Sequence, residues 1–302
     1  VSPLRRVTRA ATQRSRRLPR WLLVVVLVLA LCGAGIGLYL NERNSRQQVS
    51  VVGNPQAEDW IELDVTAQGV DTSALEVSFS VLAIPHGSLA ESPDSLVFTR
   101  EVEITAGSLT TSTFHTTAGD VAPLQVVTAG LYNGTPTDYP FDHYDISVGW
   151  IATDHGKTVP LSLTYTDSDP FFLVRPTKQA SGGSFARLEA RAGRTRATFI
   201  LAWFMIAAMW ALALAVLGGA EVLARRRSGL VWPALGWMAA TLFALVGLRN
   251  AAPGSPPIGS LMDYVAFFWA EGIIAASLAV TVALAIRNER RDLAATGSDA
   301  AP

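Results

Sequence analysis

Three ionisable residues stand where a charge is costly. Arg249, Asp263 and Glu271 lie in the stretch 248–271, LRNAAPGSPPIGSLMDYVAFFWAE, which joins two apolar runs through a Pro- and Gly-rich loop. A charge beside or within hydrocarbon needs a partner, so Arg249 is expected to pair with Asp263 or Glu271 and to fix how the flanking segments meet. On a helix Glu271 sits about 12 Å deeper than Asp263, at 1.5 Å rise per residue, and should face the interior of a bundle. There it either bonds to a neighbouring helix or forms part of a polar or proton path. Glu221, one turn before Arg225, reads as a rim ion pair.

Elsewhere the residues that carry chemistry are scattered. The chain has no Gly-rich phosphate loop and no CxxC, HExxH or GxSxG pattern. His86, His115, His143 and His155 lack the nearby His or Cys partner of a zinc site. Asp142 and His143 are neighbours, but adjacent strand residues point to opposite faces, which argues against a dyad. Asp138, Asp142 and Asp145 lie close together without the glycine and glutamate of a calcium loop. These patterns lead us to expect no catalysis, no cofactor and no metal. Cys32 is the only cysteine, so the chain can form no internal disulfide.

The elements that must position these residues follow from hydropathy. Four apolar runs stand out, at residues 21–40, 197–217, 230–248 and 264–286. The first is uncharged throughout and long enough to cross about 30 Å of hydrocarbon. Ahead of it stand Arg5, Arg6, Arg9, Arg14, Arg16, Arg17 and Arg20 with no acid. Basic flanks stay in the cytoplasm, so the first helix should run from inside to outside. Its core is longer than that of a secretory signal and lacks a small-x-small cleavage site, so a retained anchor is expected. Arg225, Arg226 and Arg227 after the second run, and Arg287, Arg290 and Arg291 after the fourth, agree with this orientation. The predicted topology is multi-pass in the plasma membrane, with both termini cytoplasmic and residues 45–196 outside. The basic arm at 1–20 is a topology signal that touches acidic lipid, and no nucleic-acid partner is expected.

Between residues 45 and 180 the pattern changes to period two. Ile61, Leu63 and Val65 alternate with polar residues, as do Leu75, Val77, Phe79 and Val81, then Phe98, Arg100, Val102 and Ile104. The same holds for Phe141, Ile146, Val148 and Trp150, and for Val159, Leu161, Leu163 and Tyr165. Such runs, punctuated by Gly, Pro, Asn and Asp, are half-buried strands. About eight of them at regular spacing predict a β-sandwich. The fold class expected is therefore membrane α plus all-β: an exported sandwich on four transmembrane helices, one N-terminal and three C-terminal. The sandwich is acidic, with 17 Asp and Glu against five basic residues, as befits a solvated outer surface. Residues 181–196 read as an Arg-rich connector, and 287–302 as a cytoplasmic tail. Arg187, Arg191, Arg194 and Arg196 would touch lipid headgroups or dock on acidic residues at the base of the sandwich.

The loop sequence above, together with YPFDHYDISVGW, resembles the actinobacterial membrane proteins of domain-of-unknown-function family 4436. The likeness covers most of residues 51–286, and the Arg–Pro-rich loop–Asp pattern is its most specific part. It implies a membrane protein with an exported β-domain and no assigned activity. A second likeness concerns Tyr139, Pro140, Phe141 and Asp142. This YPFD turn is similar to the loop at the base of the β-sandwich in pentameric ligand-gated ion channels. There the loop rests on the outer linker between the second and third helices after the sandwich, which corresponds here to residues 250–262. Two departures count against a channel: no fourth helix follows at the C-terminus, and the helix in the pore position is apolar except for Thr241. The expected function is thus a non-catalytic binding, sensing or scaffold component of the cell envelope, with a channel-like oligomer as the alternative. Its partners would be membrane lipids and another envelope protein or a second copy. Asp142 and the YPFD turn should sit on the Pro-rich loop.

Overall fold

A computed structural model of the chain describes residues 20–46, 50–52, 57–108, 110–182, 185–225 and 231–298. The basic arm at 1–19 lies outside these residues, as do Arg226, Arg227 and the last four residues of the expected tail. The first helix, α1 (Arg20–Arg46), contains the first apolar run, and as far as Asn41 it lies in a unit separate from the rest of the chain.

The second unit holds everything else. Its strands are β1 (Ser50–Val52), β2 (Trp60–Asp71), β3 (Glu76–His86), β4 (Glu103–Gly107), β5 (Thr111–His115) and β6 (Gln125–Tyr132). After these come β7 (His143–Asp154), β8 (Lys157–Val159), β9 (Leu161–Asp167), β10 (Phe172–Gly182) and β11 (Phe185–Arg194). The sheet therefore has eleven described strands where about eight were expected. It runs in the order β1-β9-β2-β3-β6-β7-β11-β10, with β4 and β8 branching at β7 and β5 pairing with β4. Pairing is antiparallel except between β2 and β9, which run parallel, so the sheet is mixed. β6 links two halves: residues 125–130 pair with β3, and Leu131 and Tyr132 pair with β7. One apolar core collects the inward faces of both halves, from Ile61, Leu63, Phe79 and Val81 to Ile146, Val148, Trp150 and Leu188.

The period-two reading holds along most of β2 and β7, and along β9 beyond the buried Ser162, and needs correction at three further places. Leu75 is exposed at a left-handed turn (φ 57°) before β3 begins. Phe98 is buried, but regular pairing starts only at Glu103. Phe141 lies in the turn before β7 and is 52% exposed. A larger correction concerns residues 181–196. The stretch is no connector, because residues 185–194 are β11, flanked by β10 on one side and β7 on the other. Ala186, Leu188, Ala190 and Ala192 point into the core, while Arg187 and Arg191 point out. β10 is the edge strand, which is where Pro176 and its bulge are tolerated, since proline has no N–H to donate.

Three helices follow: α2 (Arg196–Arg225), α3 (Val231–Asn250) and α4 (Phe268–Ser298), the last preceded by a π-helical turn at Asp263–Phe267. α4 continues through most of the expected tail. The spans Arg196–Arg225, Trp232–Asn250 and Asp263–Arg291 are long and apolar enough to cross a membrane. All three helices pack on one another around small and flexible side chains such as Ala202, Met205, Met209, Ala266 and Ala270. Large apolar residues such as Phe204, Trp232 and Phe243 face outward. Thr195 caps α2, its hydroxyl accepting the Thr198 N–H at 3.2 Å. Strand β11 thus passes into a 30-residue helix with one residue between them.

Candidate functional site: two buried arginine–aspartate pairs

The first pair forms where β7 and β11 end side by side. His143 is opposite Gly193 in the ladder, so Asp142 and Arg194 are the next residues of that register. Both side chains are withdrawn from solvent, at 0% and 2% exposure. The Arg194 Nε donates to Asp142 Oδ1 at 2.9 Å and Oδ2 at 3.1 Å, and Nη2 donates to Oδ2 at 2.9 Å. The Tyr144 hydroxyl adds a bond to Oδ2 at 3.1 Å. Burial, then the neighbouring Asp142 charge, pushes the Tyr144 phenol up, so it stays a donor. The guanidinium packs over the Phe172 ring at 4.0 Å and the Tyr139 ring at 5.0 Å, a planar cation on aromatic faces.

Backbone turns hold these groups in place. Asp169, itself buried, accepts the N–H groups of Phe171 and Phe172 at 2.7 and 2.8 Å through Oδ1. The Phe171 carbonyl in turn accepts the Thr195 N–H at 3.0 Å and the Thr198 hydroxyl at 3.2 Å. One turn therefore orients both the aromatic face beneath Arg194 and the first turn of α2.

The YPFD turn reaches into the helices. Tyr139 is fully buried and shares a core with Met205 and Met209 of α2 and with Ala252 and Met262 beside the Pro-rich loop. Its hydroxyl has no hydrogen-bond partner among the described residues, and burial pushes the phenol up to about 12. The Tyr139–Pro140 peptide is cis, and Pro140 is buried. Phe141 meets Phe199 of α2 edge-on at 5.3 Å. On the other side, Arg194 Nη1 presses against Gly254 of the Pro-rich loop and has no hydrogen-bond partner among the described residues. Gly254 has φ +71°, and a Cβ there would stand 2.0 Å from that nitrogen. Both the backbone angle and the close approach require glycine.

The second pair closes the loop itself. Arg249, the penultimate residue of α3, donates Nε to Asp263 Oδ1 at 2.9 Å and Nη2 to Oδ2 at 2.7 Å. It also reaches the carbonyls of Pro256 and Pro257 at 3.2 and 2.8 Å. Asp263 Oδ2 accepts the N–H groups of Gly259 and Ser260 at 2.8 and 3.1 Å and the Ser260 hydroxyl at 3.3 Å. Bidentate arginine thus satisfies two prolyl carbonyls that no N–H in the loop reaches. The π-helical turn after Asp263 is braced from α2, where the Trp210 indole N–H donates to the Val265 carbonyl at 3.2 Å.

Of the two partners expected for Arg249, the structure chooses Asp263. Glu271 is half-buried on α4 and makes no hydrogen bond or ion pair among the described residues. Glu221 does pair with Arg225 at the far end of α2. The three neighbouring acids diverge: Asp142 binds Arg194, Asp145 binds Arg191 and Asn133, and Asp138 lies in a 3-10 turn. Among the described residues no three metal-ligating side chains cluster. Arg194 is the residue missing from the expected site. Its docking on an acid at the base of the β-domain was one of two roles open to the four arginines, and the structure assigns it to Arg194 and, at the exposed rim, to Arg191.

Comparison with known proteins divides the chain at this site. Residues 51–193 match the family model for a domain of unknown function, DUF4436. Residues 194–288 match a second one, DUF8686. The Pro-rich loop, on which the first likeness rested most heavily, thus falls in the second match. No curated protein matches the chain. Arg194 is the first residue of the second match, so its bond to Asp142 joins the two matched regions. The strand-rich region thus matches the DUF4436 model, and the helical region matches DUF8686.

Proposed function

We propose that this protein is a multi-pass component of the cell envelope whose exported β-sandwich is latched rigidly to membrane helices, and that it binds, senses or scaffolds without catalysing a reaction. One observation carries the reading: the buried Arg194–Asp142 pair, formed between the last residue of β11, two positions ahead of α2, and the residue before β7. A domain that only needed tethering could hang from a flexible linker. Here a strand runs into α2 through one capping residue, and Tyr139 is inserted among the helices. Events at the β-domain would therefore reach the helices as rigid-body movement. The uncharged run at 21–40 within α1 supports a fourth crossing, and the arginine flanks support an outer β-domain. The buried faces of the two sheet halves, sharing one core, support the sandwich.

Topology is the direct test. With Cys32→Ser as background, Ser92→Cys places one thiol on an exposed turn of the β-domain. Labelling of intact cells by a membrane-impermeant maleimide is expected; labelling only after lysis overturns the exported domain.

One observation favours the channel-like alternative. The YPFD turn shares a core with residues that flank the Pro-rich loop, as that likeness implied. Against it, the Thr241 hydroxyl on α3 is bound to the Trp237 carbonyl at 2.9 Å and is not presented to a pore. Native mass in a mild detergent separates the two readings. A ring of about five subunits supports a channel, whereas a monomer or a one-to-one complex supports a scaffold.

A further inference from the structure

A cleft of ≈ 550 Å³ opens between the β10–β11 ladder and the first turn of α2, lined by Arg175, Arg191, Arg194 and Arg196 together with Pro176 and Thr177. Its charges are unevenly compensated. Arg194 is neutralised by Asp142, and Arg191 binds Asp145 at 2.9 Å. Arg175 and Arg196 are exposed and have no ion pair or hydrogen bond among the described residues. Arg175 also stands directly opposite Arg191 in the strand register. Asp145 compensates Arg191 from the far side of the ladder, which leaves Arg175 and Arg196 as the two charges in the cleft without an anion among the described residues. The amino end of α2 adds its own partial positive charge to the same cleft.

We infer that this cleft binds a phosphate group, presented by an anionic phospholipid headgroup of the leaflet in which α2 begins. Guanidinium forks match phosphate oxygens two at a time, and two uncompensated arginines suit one or two anionic charges. The depth is appropriate, because Arg196 is the first residue of a helix apolar enough to cross a membrane. Leu173 and Pro176 supply apolar wall for the glycerol backbone. The inference rests on the membrane reading above and names a partner for it.

The full-length protein, stripped of lipid in a non-ionic detergent, is titrated with phosphatidylglycerol, phosphatidylcholine and inorganic phosphate. Bound ligand is read by native mass spectrometry. Phosphatidylglycerol is expected to bind, and Arg175→Gln/Arg196→Gln to weaken it by about 30-fold, the loss of two arginine contacts at a surface. Arg175→Lys/Arg196→Lys should recover part of that affinity. The basic end of α4 offers a second place for acidic lipid, so the titration is repeated in Arg287→Gln/Arg290→Gln/Arg291→Gln, where this binding event should persist. Displacement of the lipid by inorganic phosphate supports the phosphate chemistry. Binding of inorganic phosphate without any lipid binding assigns the cleft to a soluble anion and overturns the headgroup. Unchanged affinity in Arg175→Gln/Arg196→Gln, or equal binding of both lipids, overturns the site. Failure of the membrane reading looks different: the chain would remain dispersed with no detergent at all.

Discussion

The two buried pairs use the same contact, an arginine fork on an aspartate, and stand in opposite relations to the chain. Arg249 and Asp263 are 14 residues apart and close one loop. Arg194 and Asp142 are 52 residues apart and join two regions that match separate families. Their surroundings differ too. Asp263 keeps three further donors from its own loop, and Arg249 also serves two prolyl carbonyls. Among the described residues Asp142 has only the Tyr144 hydroxyl besides Arg194, and Arg194 leaves one nitrogen without a partner. The loop pair is redundantly braced, so it holds a shape. The junction pair depends on one arginine, so it is where the β-domain and the helices can be uncoupled.

That difference predicts a ranking. Arg194→Leu leaves Asp142 buried with one donor and should cost about 4 kcal/mol, the range for breaking a buried ion pair. Thermal melting in detergent checks it, and Asp142→Leu/Arg194→Leu should recover most of the loss, since a wholly apolar replacement strands no charge. Arg249→Leu should cost less, about 3 kcal/mol, because Asp263 keeps its loop donors. Equal losses in the two variants would erase the distinction between a brace and a latch. An unchanged melting temperature for Arg249→Leu would sink the pairing itself.

Smaller effects sharpen the picture. Gly254→Ala drives a methyl into Arg194 Nη1 at a left-handed position and should cost about 2 kcal/mol. It should cost less in the Arg194→Leu background, where the clash has no target and only the backbone strain remains. Tyr139→Phe removes a buried hydroxyl that has no partner and should be neutral or stabilise by up to about 1 kcal/mol. A marked loss would show that the hydroxyl is bonded after all. The smallest effect belongs to the exposed pair. Hydrogen bonds from Arg191 and then Asn133 hold the Asp145 carboxyl below its usual range. A carboxyl with a lowered folded pKa stabilises above its unfolded value and loses that contribution as pH falls through the folded one. Asp145→Asn should therefore cost under about 1 kcal/mol near neutrality, and the gap from the parent should close by about pH 2.

Much of the architecture could be read from residue pattern. Period-two burial along most of β2 and β7 matches alternation of strong apolar residues, and three apolar runs became helices long enough to cross a membrane. β11 was hidden although its pattern is present, because three of its four inward residues are alanine. Alanine alternating with arginine carries little hydrophobic contrast, and the arginines suggested a solvated linker. The strand count and the parallel β2–β9 pairing were also out of reach, since they depend on chain crossings that leave no local mark.

The loop pair illustrates what local sequence can establish. An arginine and an aspartate flanking one short loop between apolar segments can hardly avoid each other, because apolar surroundings offer neither another partner. Asp142 and Arg194 had no such compulsion. Either could have faced water, and Asp142 had nine arginines or lysines between residues 45 and 196 to choose among. Sheet register decided between them, setting both at the end of adjacent strands with Phe172 and Tyr139 closing off solvent. Glu271 shows the converse. Its apolar surroundings called for a partner, and the packing of α4 left it half-buried without one among the described residues, because the arginine expected to meet it, Arg249, was already taken by Asp263.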